Sequence, residues 1–510
     1  MVQSARLNYT SIRNYYVLCR STKHANKCYN VYVKKIIISK LFLYRYRFII
    51  GYILLGTAFV FLLFLLPLFS QSGLSEAEME SATHSYYLSF DAPLNGDLVN
   101  LPYRVLQKLS IMIFGLTPYS IKLPSIIIGL FLGLLLILLL NRWFKSNVSL
   151  LASCLVVLST PFLFLAGSGT PLIMILFWPT LLLWLGSKIQ GEKRPKPIYS
   201  FFFAIALLLS VFTPYMVYFA IFCVIFVFCQ PHLRFVVKSL PKLPLFIIGA
   251  FILSGISILV MNIINHPDTI MGLLFTNNFD ASHFFGNIGS GLAPVFLWSG
   301  SLESVFLTPL LSMPTLALAL IGLFSTTKGF FASRNSIASL LLVFTIIITG
   351  FNPNAIIFFI LPIAILVAHG LKYLLEKWYG LFPENPYARI AAIIPLSILF
   401  AITIIPSLLQ YIYGYRYNPN VANEFYYDLN IIRHNLSNET LLVSDHYDFY
   451  KILEDSTDIS VIDELHDERP YNLAILYGVS EDKNYRLSRI ITSPMRENSD
   501  IIYLYTEKGE

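Results

Sequence analysis

The sequence predicts an all-α polytopic membrane protein of about eleven transmembrane helices, followed by a small C-terminal α/β domain. The first observation is the composition. Of the 510 residues, 56% are hydrophobic and only 13% are charged, about half the charged share of a soluble domain. A soluble protein of this size needs a polar surface to face water. The composition therefore excludes an ordinary soluble enzyme, a disordered chain and a disulfide scaffold.

The second observation is a series of apolar runs along the chain. A bilayer span needs about 20 mostly apolar residues, and eleven runs approach or exceed that length. Pro214 and Pro353 stand beside polar residues and mark tight turns between neighbouring runs. The predicted spans are 48–69, 121–140, 149–166, 170–187, 198–212, 214–229, 244–264, 308–325, 336–350, 354–371 and 389–410.

The third observation is the uneven distribution of positive charge. If the N-terminus is inside, the inner segments hold 24 Lys and Arg residues, and the outer loops before the C-terminal region hold three. Cytoplasmic loops carry such an excess. We therefore expect a multi-pass protein of the cell membrane, with a basic cytoplasmic tail over 1–47, a transmembrane domain over 48–410 and an extracytoplasmic domain over 411–510. The tail marks the inner side, so no nucleic-acid partner is expected.

The last hundred residues differ in character from the spans. They contain eighteen Asp and Glu residues against nine Lys and Arg. Short apolar segments alternate with helical stretches, a pattern typical of a small α/β domain. Strands are predicted at 440–444, 459–462, 472–477 and 501–505, with a helix at 446–455. No glycine-rich phosphate loop is present, so this domain is expected to bind or to pack.

Chemistry that needs water is expected in the two long outer loops, 70–120 and 265–307. Where the first span leaves the membrane, Glu76, Glu78 and Glu80 follow one another. On a helix the first and last of these share a face, and Glu78 points elsewhere. Residues 100–116 form an amphipathic segment that is too short and too polar to cross the bilayer. We expect it to lie as a helix along the outer membrane surface.

Two motifs in this loop resemble glycosyltransferase family 39, the protein O-mannosyltransferases and lipid A aminoarabinose transferases, which have the multi-span GT-C fold. The first is the family's Asp-Glu pair with its following Ala and aromatic positions. The second is a proline, an aromatic residue, an amphipathic helix, Phe-Gly and Arg-Leu-Pro-Ser. They correspond here to Ser75, Glu76, Ala77, Met79 and Ala82, and to Pro102, Tyr103, Phe114, Gly115, Lys122, Leu123, Pro124 and Ser125.

The resemblance covers about residues 48–410, and the chain departs from the family pattern at several places. Ser75 stands where the family has Asp, and Lys122 stands where it has Arg. The stretch 166–172 lacks the Arg and Asp often found after the third span. Asn354 is the polar residue where the family places a basic one.

The resemblance implies a polyprenyl-phosphate sugar as donor and an acceptor that is a protein, a lipid or a glycan. A carboxylate would act as general base toward the acceptor hydroxyl, and Glu76 is the predicted base, with Glu78 in reserve. Arg104, Lys108 and Lys122 are the predicted lipid-phosphate ligands, because cations stabilise a leaving phosphate. The alternative for these three is contact with the headgroups of the lipid bilayer.

The remaining candidate residues are predicted to bind substrate. Tyr103 belongs to the second motif, and Asp268, Asp280 and His283 lie in the second outer loop. Asp and His also bind divalent metals, but their spacing here is loose. No cofactor is expected, and a divalent metal stays open as the alternative.

Two other functions remain open from the sequence. One is a catalytically inactive GT-C-fold protein that binds a glycolipid, which the departures from the family pattern keep in view. The other is a lipid-linked sugar transporter. Transporters carry charged residues near mid-membrane or internal repeats, and the predicted spans show neither, so this is the less favoured alternative.

Protease added to intact cells or spheroplasts should remove residues after about 411 and spare the basic tail. The reason is the excess of positive charge on the predicted inner segments. Immunoblots with tags at the two termini measure the outcome. Digestion of the N-terminal tag instead would reverse the orientation and every outer-face assignment.

Overall fold

The computed structural model describes residues 50, 53, 56–65, 73–89, 98–191, 197–231, 233–235, 242–274, 283–297, 302–303, 306–329, 332–382, 387, 391–418, 421, 424–426, 428–436, 440–455, 457, 459–463, 472–476, 484–492 and 501–507. The chain forms two units, Met1–Leu62 and Leu63–Glu510. Helix α1 (Gly56–Leu65) begins in the first unit. Apart from α1, the features below belong to the second unit.

Helices dominate this second unit. They are α2 (Glu76–Tyr86), α3 (Leu101–Phe114), α4 (Pro118–Trp143), α5 (Ser146–Val157), α6 (Thr160–Gly167), α7 (Ile173–Gly191), α8 (Pro197–Ser210), α9 (Met216–Cys229), α10 (Lys242–Asn265), α11 (Asp268–Leu274), α12 (Phe284–Phe296), α13 (Met313–Thr327), α14 (Ser333–Phe351), α15 (Ile360–Leu381), α16 (Ile393–Leu409), α17 (Asp428–Asn435) and α18 (Tyr447–Tyr450). A 3₁₀ helix, Pro353–Phe359, precedes α15, and a π-helical segment, Gln410–Gly414, follows α16.

Among the described residues, five helices are long and apolar enough to cross a membrane, or six if the bent pair α5 and α6 forms one span. The five include α4, α7, α14 and α16, together with α15 and its preceding 3₁₀ helix. Five of the shorter apolar helices, α1, α8, α9, α10 and α13, coincide with the remaining predicted spans. The predicted fold class is confirmed, and the number of eleven spans stays a prediction.

Loops predicted to share the outer side contact one another. The Asn100 backbone N–H donates to the Phe212 carbonyl at 2.7 Å, which joins the first outer loop to the turn between α8 and α9. The Asn287 side chain of α12 donates to the Gly350 carbonyl near the end of α14 at 3.3 Å. Each bond joins two segments that are predicted to lie on the outer side.

The predicted inner segments meet one another in the same way. The Arg334 guanidinium of α14 donates to the Trp143 carbonyl at the end of α4, at 2.7 Å. The Gln230 amide after α9 donates to the Ser336 hydroxyl at 2.7 Å. The alternation of inner and outer segments predicted from the spans is therefore consistent with the packing.

The C-terminal region contains a five-stranded mixed sheet. Its strands are β5 (Thr440–Val443), β6 (Ser460–Ile462), β7 (Asn472–Leu476), β8 (Tyr485–Thr492) and β9 (Ile501–Glu507), after the short strands β1 (Leu74–Ser75), β2 (Leu302–Glu303), β3 (Phe306–Leu307) and β4 (Phe425–Tyr426). The order is β6-β5-β7-β9-β8, with β5 parallel to β6 and β7 and the other pairs antiparallel. The four strands predicted here are present, and β8 was not predicted.

One face of this sheet shares a hydrophobic core with the first outer loop. Leu442, Ala474 and Ile502 of the sheet belong to the same buried cluster as Met79 of α2 and Ile111 of α3. Burial of apolar surface is the main stabilising term in such contacts. The sheet therefore shares one hydrophobic core with the two helices that carry most of the predicted site residues.

Helices α13 and α15 approach each other closely where Gly322 faces Gly370. A Cβ atom on Gly322 would lie 1.9 Å from the Leu366 carbonyl oxygen, and one on Gly370 would lie 2.1 Å from the Leu318 carbonyl oxygen. Small residues permit this approach at helix interfaces in membranes. The obstacle at both positions is backbone, which cannot rotate away as a side chain does.

We expect Gly322→Ala or Gly370→Ala to lower the free energy of unfolding by about 1–3 kcal/mol, because the helices must move apart. Thermal unfolding in detergent measures the change. Gly380→Ala is the matched control in α15, since a Cβ atom there meets no described atom within 4 Å. Equal melting temperatures for Gly370→Ala and Gly380→Ala would contradict the close approach.

Candidate active site

The site is built around the start of α2. Ser75 is the N-cap of this helix: its hydroxyl accepts from the Glu78 backbone N–H at 3.3 Å, and the Glu78 carboxylate accepts from the Ser75 N–H at 2.9 Å. Such reciprocal bonds satisfy two backbone donors that the first helical turn leaves open. Glu76, the first helical residue, is exposed, as is Glu80. The predicted division of the three glutamates between two faces is therefore observed.

Glu78 forms a buried ion pair. The exposed fractions are 1% for Glu78 and 4% for Lys122, and the Lys122 Nζ lies 3.7 Å from the Glu78 Oε2. The other oxygen, Oε1, accepts from the Gly169 backbone N–H at 2.6 Å. The Lys122 ammonium also donates to the Gly73 carbonyl at 3.0 Å. Each charge thus has several polar partners, which a buried pair requires.

Gln107 joins three segments around this pair. It is fully buried, and its Oε1 accepts from the hydroxyls of Ser81 at 2.9 Å and Ser85 at 2.7 Å. Its Nε2 donates to the carbonyls of Ile121 at 3.1 Å and Gly169 at 2.8 Å. All four hydrogen-bonding positions of the amide are used. In the sequence this residue is only a polar interruption of an amphipathic segment, because its burial arises when the helices pack.

Tyr103 lies in the same buried layer. Its hydroxyl and the Ser125 hydroxyl share a hydrogen bond of 2.8 Å, and Ser125 also donates to the Thr170 carbonyl at 3.2 Å. Burial raises the pKa of Tyr103, so its hydroxyl stays protonated at physiological pH. The Tyr-Ser pair of the second family motif therefore ties α3 to α4 and to the loop after α6. Its predicted contact with substrate stays a prediction.

The other two predicted phosphate ligands lie on α3. The Lys108 ammonium donates to the carbonyls of Tyr86, at 3.0 Å, and of Leu88. This is a favourable position for a cation, because the last carbonyls of α2 carry the negative end of its dipole. Arg104 is partly buried, one turn earlier on α3. Phosphate binding by Arg104, Lys108 and Lys122 stays a prediction.

The second outer loop reaches the first through a small buried cluster. Leu273 of α11 packs with Leu98 and Val99, just before α3 begins. Asp268 is exposed at the first residue of α11. His283 is also exposed, at the start of α12. Asp280 lies outside the described residues. The structure thus brings the helix of Asp268 to the start of α3.

Within the described part of the chain, no group of three His, Cys, Asp or Glu side chains is placed to hold a metal ion. The buried charges of Glu78 and Lys122 pair with each other. The expectation of no cofactor stays a prediction.

The C-terminal region encloses the site from the other side. Strand β4 pairs with β1 directly before α2, and Tyr86 at the end of α2 donates to the Asp455 carboxylate. This hydrogen bond, with a smaller contribution from burial, raises the pKa of Tyr86 to about 12. The Arg433 guanidinium of α17 donates to the Leu116 carbonyl after α3 at 3.0 Å. The C-terminal region thus contacts both ends of α2.

Comparison with known proteins supports the fold. Residues 102–258 match the family model described as dolichyl-phosphate-mannose-protein mannosyltransferase. The chain is similar to ArnT from Cupriavidus metallidurans in the apo state, with a TM-score of 0.54 and 11% identity over 89% of this chain and 98% of that chain. ArnT bound to undecaprenyl phosphate matches over the same shares, with a TM-score of 0.52 and 11% identity. A comparison with the curated proteins found no significant match.

These likenesses define the class of the protein. It is an integral membrane protein with the GT-C fold of the membrane glycosyltransferases, and the resemblance inferred from the sequence is confirmed. The segment that matches the family model begins at Pro102 and includes Tyr103, Arg104 and Lys122, so it covers the second of the two sequence motifs.

We expect Glu78→Gln to lower the free energy of unfolding by about 3–5 kcal/mol, because it leaves the buried Lys122 ammonium without its counter-charge. Lys122→Met should cost a similar amount by stranding the Glu78 carboxylate. Thermal unfolding in detergent measures both.

The double variant Glu78→Gln with Lys122→Met is the control. It removes both charges, and we expect it to be more stable than either single variant. Strictly additive losses would show that the two side chains do not interact.

Proposed function

We propose that this protein transfers a sugar from a polyprenyl-phosphate donor to an acceptor on the outer face of the membrane. The GT-C fold supports this proposal, as does the structure of ArnT with undecaprenyl phosphate bound. The observation that carries it is the contrast between two neighbouring glutamates. Glu76 is exposed at the start of a helix that is held in place. Glu78, two residues further on, is buried and already bonded to Lys122 and to the Gly169 N–H.

This contrast supports Glu76 as the proposed base. A general base must reach the proton it removes, and the Glu78 carboxylate, enclosed with Lys122 and the Gly169 N–H, has no opening toward an acceptor. Glu76 is open to solvent. The bonds of Glu78 also fix the first turn of α2, so the backbone that carries Glu76 is held in place before substrate arrives. Such preorganisation lowers the cost of reaching the reactive geometry.

In the proposed step, the acceptor hydroxyl oxygen attacks the anomeric carbon of the donor sugar. A new C–O bond forms, and the bond from that carbon to the phosphate oxygen breaks. The lipid phosphate leaves with the electron pair, and Glu76 receives the hydroxyl proton. Arg104 and Lys108 are the proposed sources of positive charge for the departing phosphate. Lys122 is buried and paired with Glu78, so its proposed part is to support the helix start.

Helix α3 supplies a path for a lipid-linked donor. Its outward face is apolar, with five side chains between 43% and 70% exposed, and its other face carries Tyr103 and Gln107. The exposed side chains are Leu106, Leu109, Met112, Ile113 and Phe114. A helix with this division lies in the membrane interface. In this arrangement the lipid tail of the donor would lie along α3, and the sugar phosphate would lie near the proposed base at the membrane interface.

The structure also bears on the inactive alternative. Ser75 replaces the family Asp, but Ser and Asp are both preferred N-cap residues, and Ser75 caps α2 here. The substitution therefore preserves the helix start that presents Glu76. This observation favours an active enzyme over a protein that keeps the fold for glycolipid binding alone.

We expect Glu76→Gln to reduce sugar transfer by about 10²–10⁴-fold, because the amide keeps the shape of the side chain and does not accept the proton. The measurement is transfer by purified protein from a panel of radiolabelled polyprenyl-phosphate sugars. Expression, melting temperature and donor binding should stay close to the wild-type values.

Glu80→Gln is the matched control. Glu80 is also exposed on α2, and its carboxylate lies 3.5 Å from the His84 ring, so its loss should leave transfer nearly unchanged. Full activity of Glu76→Gln would place the base elsewhere. A wild-type protein that binds donors and transfers nothing would favour the inactive alternative.

A further inference from the structure

The β1–β4 ribbon brings a second carboxylate to the start of α2. Its register pairs Leu74 with Tyr426 and Ser75 with Phe425. Glu76 follows the last paired residue on one strand, and Glu424 precedes its partner on the other. Both glutamates therefore leave the same end of the ribbon. Residues opposite each other in an antiparallel pair have Cα atoms about 4.5–5.5 Å apart.

The ribbon is held firmly. A Cβ atom on Gly73 would lie 2.1 Å from the Tyr426 carbonyl oxygen, so the two backbones touch. The Phe425 ring is buried and packs edge-on against the Tyr415 ring, with centroids 6.3 Å apart. Tyr415 is fully buried, and its hydroxyl accepts from the Leu307 N–H at 3.3 Å. Glu424 is thus fixed at its place beside α2 by packing in the helical core.

The surroundings of Glu424 suit a substrate contact. Glu424 is exposed as a whole residue. Its carboxyl group is nevertheless partly buried, and this burial raises the pKa of the group. Solvent therefore reaches this carboxylate, and protein atoms surround part of it. A hydrogen bond from a ligand to a carboxylate is stronger there than on an open surface.

The charge of the C-terminal region and of the helix start constrains the ligand. The last hundred residues hold eighteen Asp and Glu residues and nine Lys and Arg residues. At the far end of α2, Tyr87 lies near Asp448 and Asp455 and also near Lys451, so the excess of negative charge that bears on the acceptor is at Glu76 and Glu424 themselves. Lys122, a cation close to the helix start, already pairs with Glu78. A negative acceptor approaching Glu76 and Glu424 meets repulsion at both carboxylates.

We propose that Glu424 binds the acceptor opposite Glu76, and that the acceptor group held between them is an uncharged hydroxyl and not a phosphate. This inference rests on the proposed function, and it assigns the C-terminal region a direct part in substrate recognition. Glu76 takes the hydroxyl proton, and Glu424 accepts a hydrogen bond from a neighbouring donor group of the acceptor.

Kinetics of Glu424→Gln test the role. The acceptor KM should rise about tenfold or more, the loss expected for a hydrogen bond to a charged group, with a smaller change in kcat and none in the donor KM. Glu424→Asp should recover part of the affinity, and Glu424→Lys should weaken it further. The acceptor probes are octyl glucoside, octyl glucoside 6-phosphate, and a serine peptide with its phosphoserine counterpart.

A cross-link tests the geometry without requiring activity. Glu76→Cys with Glu424→Cys should form a disulfide on mild oxidation, since a disulfide needs Cα atoms within about 7 Å. Glu80→Cys with Glu424→Cys is the control, because Glu80 lies about 6 Å further along the helix. Peptide mass spectrometry identifies the linked pair among the five native cysteines.

The outcomes separate the two proposals. Selective cross-linking, a raised acceptor KM in Glu424→Gln and a preference for unphosphorylated probes support the inference. Three outcomes in an active enzyme would overturn the inference and leave the proposed function standing. They are the absence of a selective cross-link, an unchanged acceptor KM, and equal effects of Glu424→Gln on kcat and on the donor KM. Preference for the phosphorylated probes would overturn it as well. A wild type that transfers no sugar from any donor would overturn the proposed function, and this inference with it.

Discussion

The pair of opposite charges formed by Glu78 and Lys122 is the constraint on which the rest of the site depends. Taking each ion out of water costs several kcal/mol, and their attraction repays this only with good geometry and further hydrogen bonds. The necessary partners come from Gly73, Ser75 and Gly169. The start of α2, the start of α4 and the loop after α6 must therefore meet at one place. Glu76 acquires its fixed position as a consequence of this meeting.

The properties that could be predicted from the sequence are those with a local signature. The apolar runs predicted the membrane fold, helical spacing separated Glu78 from Glu76 and Glu80, and the alternating C-terminal segments predicted four strands. Burial, however, is a property of the assembled chain. Lys122 is 44 positions from Glu78 in the chain, and nothing in the spacing indicated that the two side chains would be buried together. From the sequence, Lys122 was therefore predicted to be a cation available to a ligand.

Strands β1 and β4 show the same limit more sharply. Each strand has two residues, which is too few to show an alternating apolar and polar pattern. Some 350 residues separate the two strands in the chain. Gln107 likewise had the appearance of a polar interruption in an amphipathic helix. Its four hydrogen bonds join segments that meet only after the helices have packed. Site residues of this kind are identified by three-dimensional contacts and leave no periodic signal.

The loop after α6 shows how the chain accommodates its departures from the family pattern. Where the resemblance leads one to expect Arg and Asp side chains, Gly169 supplies a backbone N–H to the Glu78 carboxylate. A Cβ atom at this position would lie 2.6 Å from the Ile121 Cγ2 atom, so the approach requires glycine. A backbone donor is fixed in direction and loses no side-chain entropy on binding. The small residues of the loop thus let it dock against the start of α4, and they replace a charged side chain with a directed main-chain contact. The loss of the family's charged residues here is consistent with a rebuilt support for Glu76, since the carboxylate beneath that residue keeps a full set of partners.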